Sequence, residues 1–221
     1  MSGRLILVRH GQTVANVARQ LDTLPPGAEL TEEGLAQAAR LGLDLAHEPL
    51  SALVSSTALR AQQTADPVSR LSHSPLQVRD GLYEIQVGEL EGRSDDAAHH
   101  QFIEVYQGWH HGDLTARLPG GESGRDALDR YLPTLAELRG EYLDRADAGD
   151  VVVVSHGAII RLAVAAMTGI DARFADTRHL ANTESIALSP TPDGGWECVR
   201  WGAIYPPFER DRPEIVDDPM G

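Results

Sequence analysis

The chain has no lysine: all 19 of its basic residues are arginines, set against 33 acidic residues for a net charge of −14. Without lysine there is no Walker-type phosphate loop and no side-chain amine for Schiff-base chemistry. A single cysteine, Cys198, excludes a disulfide framework and a cysteine-built metal cluster. Nor is it the cysteine of a Cys-to-Arg phosphatase loop, because Ile204 stands six residues after it. No apolar run approaches the ~20 residues of a membrane span. Met1-Ser2-Gly3-Arg4 leads directly into an apolar strand with no signal-peptide core, so a cytoplasmic location is expected. The acidic excess repels nucleic acid and anionic membranes, and neither is an expected partner. An anion site in such a chain must be assembled from a few well-placed cations.

What is present is ordinary globular material, 221 residues of which 42% are hydrophobic, enough for one core. Residues 1–205 read as a single domain and 206–221 as a Pro-rich acidic surface tail; a homo-oligomer stays open. Apolar strands alternate with helical patterns, which predicts an α/β fold with a mainly parallel sheet. Thr31 is placed to cap a helix whose apolar stripe is Leu35, Ala38, Leu41 and Leu45. Ser55 or Ser56 is placed to cap the next helix, "TALRAQQTADPV". Helix signals are weak from Asp95 to Trp109. Ser123 and Asp126 form a capping box for a helix burying Leu128, Tyr131, Leu135, Leu138 and Tyr142, with a kink expected at Pro133. "TESIALSPTPDGGWECVRW" reads as a hairpin that adds an antiparallel edge.

The two most apolar runs, "LILVRHG" and "VVVVSHG", both end in His-Gly. Parallel strands of this kind bind ligands at their carboxyl ends, so His10 and His156 are expected to face one crevice. Gly11 and Gly157 allow a tight turn there, and the helices that follow direct N–H groups toward the same place. Arg9 adds a cation, and Arg60 lies one turn into the helix after the strand "ALVSS". Two arginines and two histidines around helix N-termini suit a phosphate group, which an arginine fork binds bidentately. Either histidine alone would read as a satisfied core residue; the matched pair does not.

The usual nucleophiles are missing from this crevice. Gly121-Glu122-Ser123-Gly124-Arg125 has its glycine one position too early for a nucleophile elbow. Imidazole remains: a neutral histidine with one nitrogen held by a backbone acceptor can attack phosphorus with the other. The leaving oxygen then needs a proton donor, for which "YEIQVGELEG" offers Glu84, Glu89 and Glu91, and spacing alone does not choose among them.

With these residues in place the chain resembles the histidine phosphatase superfamily, also called phosphoglycerate-mutase-like. The resemblance is carried in order by Arg9-His10-Gly11 with Gln12, Thr13 and Asn16, then "LTEEGLAQA", "SSTALRAQQTA", "LYEIQVGELEG", "PGGES", "VVVVSHGAIIR" and "NTES", across roughly residues 4 to 189. It implies a three-layer α/β/α sandwich on a mainly parallel mixed sheet. It implies that His10 is phosphorylated during turnover and that Glu84, followed by Gly88, Glu91 and Gly92 at the family's spacing, is the proton donor. Arg9, Gly11, Gln12, Asn16, Arg60, His156 and Gly157 would hold the phosphate, with no metal and no organic cofactor.

Two regions depart from the classical mutases. The segment Arg93 to Gly120 is short and lysine-free, with Arg93 and Arg117 its only arginines, and the Pro25-Pro26-Gly27 loop differs. A phosphatase acting on a small phosphorylated metabolite is therefore expected ahead of a mutase, and ahead of a non-catalytic phosphate-binding module. "HHQFIEVYQGWHHGD" lacks a ligand pattern for a metal. Its His99, His100, His110 and His111 are expected to be exposed, with Trp109 over the pocket mouth.

Overall fold

The structure is a computed structural model that describes residues 3–208 and residue 220. Its centre is a six-stranded sheet in the order β3-β2-β4-β1-β5-β6. These strands are β1 (Leu5–Arg9), β2 (Leu50–Ser55), β3 (Leu76–Val78), β4 (Asp150–Ser155), β5 (Ser185–Pro190) and β6 (Trp196–Trp201). β1 to β4 are mutually parallel, whereas β5 pairs antiparallel with β1 and with β6. The predicted hairpin thus forms the antiparallel edge.

The period-2 alternation of the central strands separates two cores. Ile6, Val8, Val152 and Val154 face one apolar cluster, with Ala61, Ala65 and Val68 of helix α3 (Leu59–Ser72). Leu5, Leu7, Val151 and Val153 face the other. That second cluster gathers α4 (Asp96–His110), α5 (Gly124–Leu138), α6 (Gly157–Thr168) and α7 (Ala172–Thr177). Helix α2 (Glu32–Leu45) packs beside α3, and the short α1 (Val14–Val17) follows β1. The result is the expected three layers.

Thr31 caps α2, and Ser123 with Asp126 forms the capping box of α5. Several local expectations change. Leu35 is half exposed, because α2 turns Gly34, Ala38 and Gly42 inward, Gly34 against the turn at Gln12 and Gly42 against Pro67 of α3. Neither Ser55 nor Ser56 caps α3, whose N-cap is Ala58 without a side-chain bond. Pro133 does lie inside α5, as expected, on its exposed face.

The weakly signalled stretch from Asp95 onward is a full helix, capped by Asp95. Ala98, Phe102, Tyr106 and Trp109 lie on its buried face at spacings of four, four and three, a stripe that the interleaved histidines obscure. His100 and His111 are exposed as expected, but His99 and His110 are buried. Trp109 does not cover a pocket mouth. It lies in the core, donating from Nε1 to the Ala116 carbonyl at 2.8 Å and closely abutting Gly124. Of the tail 206–221, residues 209–219 and 221 lie outside the described residues.

Two glycines differ in what they leave room for. A Cβ on Gly34 would collide with the Gln12 carbonyl oxygen, in the turn that follows His10. On Gly108, inside α4, it would meet nothing within 4 Å. Urea unfolding is expected to show Gly34→Ala destabilised by about 1–3 kcal/mol through overpacking. Gly108→Ala is expected to be stabilised by about 0.4–1 kcal/mol through the lower entropy of its unfolded chain.

Candidate active site

Parallel pairing sets Arg9 of β1 opposite Ser155 of β4, and the His10 N–H donates to the Ser155 carbonyl at 3.0 Å. The two His-Gly breaks therefore emerge side by side. Both histidines are buried, and their rings stand 5.2 Å apart between centroids at 60°. His10 Nδ1 lies 2.7 Å from the Gly11 carbonyl, which can only accept. Nδ1 thus carries the proton and Nε2 keeps its lone pair.

His156 has the complementary arrangement. Arg60 Nε donates to its Nδ1 at 3.2 Å, which places the ring proton on Nε2, 2.8 Å from Ser56 Oγ. Burial first, then the charges of Arg60 and Arg9, pushes His10 well below its ordinary pKa of 6.5. His156 is lowered well below the same value by burial, then by Arg60 and His10. Both rings are neutral at physiological pH.

Arg60 is held by Asp22: Nη1 lies 3.1 Å from the Asp22 carboxylate and Nη2 donates to its carbonyl at 3.0 Å. Arg9 is also buried, and its Nη1 donates to the Leu180 carbonyl at 2.8 Å, on the loop before β5. Glu84 enters from the loop after β3, 3% exposed. Its Oε1 accepts from the Ile85 and Ile159 N–H groups at 2.8 and 2.9 Å, and its Oε2 from Ala158 at 3.1 Å. Burial raises its pKa above the usual 4.5, opposed by those three N–H groups. The first turn of α6, which the sequence pattern directs at a phosphate, therefore holds this carboxyl group.

His10, Asn16, Arg60 and Glu84 line one cavity, together with Thr13, Ala15, Gln20, Asp22 and Met220. Gly11 and Gln12 are engaged elsewhere: their N–H groups donate at 2.9 Å to Thr64 Oγ1 and Gln37 Oε1. Gly157 opens α6 behind His156. Among the three candidate carboxylates only Glu84 reaches the cavity. Glu89 is exposed, and Glu91 accepts from the Thr23 N–H at 2.9 Å and from the Thr23 hydroxyl, pinning the segment that carries Asp22. Asp22 and Met220 were not singled out in the sequence, and Ser56 was singled out only as a helix cap. Asp22 and Met220 carry no local signal, whereas Ser56 does, as a hydroxyl at the carboxyl end of an apolar strand. Among the described residues no group of three or more His, Cys, Asp or Glu is arranged to hold a metal ion, and no helix is long and apolar enough to cross a membrane.

This architecture is shared with known proteins. The chain is 28% identical to the PE-PGRS family protein PE_PGRS11 of Mycobacterium tuberculosis over 89% of its own length, but spans only 36% of that relative. It is 27% identical to the probable phosphoglycerate mutase GpmB of Salmonella choleraesuis, covering 90% of this chain and 89% of that one. A mycobacterial glucosyl-3-phosphoglycerate phosphatase, in a structure containing VO3, superimposes with a TM-score of 0.79 at 28% identity, covering 92% of this chain and all of that one. The alpha-ribazole phosphatase of Shigella flexneri shares the fold, with a TM-score of 0.71 at 24% identity over 90% of this chain and 96% of that one. The family model for branch 1 of the histidine phosphatase superfamily matches residues 5–204, and the chain belongs to that superfamily.

Proposed function

We propose that the protein is a phosphatase that hydrolyses a small phosphate monoester through a phosphohistidine formed on His10. The observation that carries this reading is the His10 tautomer: Nδ1 is tied to the Gly11 carbonyl, leaving the Nε2 lone pair for attack, with Glu84 lining the same cavity. In the first step Nε2 bonds to phosphorus, the bond from phosphorus to the ester oxygen breaks, and the Glu84 carboxyl proton passes to the departing alcohol. In the second, water attacks the phosphohistidine and gives a proton to the Glu84 carboxylate. The P–N bond then breaks, releasing inorganic phosphate and restoring neutral His10. Arg9, Arg60 and His156 stabilise the charge on the transferring oxygens, with Asn16 assisting at the cavity wall.

No metal or organic cofactor enters this cycle, and the substrate is a soluble phosphorylated metabolite met in the cytoplasm. Similarity to a probable mutase raises phosphoglycerate isomerisation as the second reading. Against it, the two arginines between residues 93 and 120 are occupied: Arg93 pairs with Asp95 and Arg117 with Asp126, each at 2.7 Å.

Hydrolysis of p-nitrophenyl phosphate in EDTA is expected to persist, and to fall by at least about 1,000-fold in His10→Ala, as for loss of a covalent nucleophile. Equal activity in the two proteins overturns the role of His10. Given 3-phosphoglycerate with only a trace of 2,3-bisphosphoglycerate as primer, the enzyme is expected to form no more 2-phosphoglycerate than hydrolysis of that trace can supply, followed by phosphorus NMR.

The pH profile of kcat/KM is set by opposite shifts. His10, lowered, stays a neutral nucleophile well below pH 6.5, whereas Glu84, raised, keeps its acidic proton above pH 4.5. Activity is therefore expected to persist below pH 6.5 and to decline as rising pH removes the Glu84 proton. In Glu84→Gln that alkaline decline is expected to vanish, in rates corrected for ionisation of the ester.

A further inference from the structure

The loop that delivers Glu84 has no regular secondary structure, yet three of its carbonyls are held by one side chain from α5. All five N–H donors of the Arg130 guanidinium are used. Nη1 donates to the carbonyls of Gly81 and Tyr83 at 2.9 and 2.8 Å, and Nη2 to the carbonyl of Glu84 itself at 2.9 Å. The remaining two form a bidentate pair with Glu122, Nε to Oε1 at 2.7 Å and Nη2 to Oε2 at 2.8 Å. Glu122 also grips the loop: its Oε2 accepts from the Gln86 N–H, and its own N–H donates to the Gln86 carbonyl, both at 2.8 Å. The guanidinium further stacks on the Tyr83 ring, 3.9 Å from its centroid. Arginine is the side chain for this task, since lysine has neither the planar fork nor five donors.

We propose that Arg130 and Glu122 are positioning residues for the acid step: they fix the Glu84 loop so that its carboxyl group is held against the first turn of α6 and reaches the leaving oxygen. The pair belongs to "PGGESGRDALDR", whose cap role accounts for Ser123 and Asp126 but not for these two residues. All five Arg130 donors are spent on the loop and on Glu122, so the effect of the pair on turnover passes through Glu84. A merely structural clamp would weaken all substrates alike. A clamp on the acid penalises esters whose leaving alcohol needs a proton, because an aryl oxide such as p-nitrophenolate departs without one.

The inference rests on the phosphohistidine reading, and its test separates the two. Arg130→Lys and the milder Glu122→Gln are compared with the unaltered protein on p-nitrophenyl phosphate and on glycerol 2-phosphate, by kcat/KM, which reports transfer to His10 alone. The expected loss is at least tenfold greater on the alkyl ester than on the aryl ester. In a Glu84→Gln background the further loss from Arg130→Lys is expected to disappear. Equal losses on both esters, or losses that multiply in the double variant, overturn the proposal. Hydrogen exchange supplies a readout independent of catalysis. Arg130→Lys should speed exchange at least tenfold in residues 81–86 while β1 and β4 keep their protection, and unchanged exchange there overturns the clamp. If His10→Ala proves as active as the unaltered protein, the phosphohistidine reading fails while the exchange result still decides the clamp.

Discussion

The site depends on the parallel pairing of β1 with β4. The chain between them is long, and β2 lies on the far side of β4, so the first and fourth strands become neighbours only when the sheet is assembled. Once they pair, residues one position beyond Arg9 and Ser155 have nowhere to go but the same crevice. His10 and His156 then sit with ring centroids 5.2 Å apart, and the surrounding side chains settle which nitrogen of each ring carries a proton.

Burial gives this crevice its electrostatic character. Two imidazoles removed from water beside Arg9 and Arg60 do not protonate readily, so each keeps a lone pair on one ring nitrogen. Arg60 itself is 2% exposed, and a buried charge without compensation costs several kcal/mol. Asp22 supplies that compensation in the protein alone. A phosphate group carries more negative charge than a carboxylate and offers more oxygens to the fork, so it can take over that role. In a chain of net charge −14, Arg9 and Arg60 thus form a local patch of charge opposite in sign to the overall field.

Glu84 shows the opposite shift, holding a proton more tightly although ringed by N–H donors. Three backbone N–H groups favour its ionised form, and burial outweighs them. Such a balance is sensitive to position, because a shift toward solvent would remove the dominant effect. That sensitivity explains why an irregular loop is bound at so many points by Arg130 and Glu122, and why Glu91 ties down the neighbouring segment.

The strand runs, the His-Gly breaks, the caps at Thr31 and Ser123 and the final hairpin were legible in the sequence, because each depends on periodicity or on chemistry within a few residues. The same locality marked His10, His156, Arg9 and Arg60 as a set, and resemblance selected Glu84 where spacing left three carboxylates open. Helix α4 escaped because histidines at both its ends hide an apolar stripe, and their burial is decided by what α4 packs against. The roles of Asp22, Arg130 and Glu122 became visible only in the fold, since their partners lie 38, 46 and 36 residues away in the chain. Ser56 showed as a strand-end hydroxyl but not as the partner of His156, 100 residues on. The sequence by itself determined which groups could do chemistry. The tertiary structure decided their tautomers, protonation and mutual reach, because these are set by side chains and carbonyls that only long-range packing brings together.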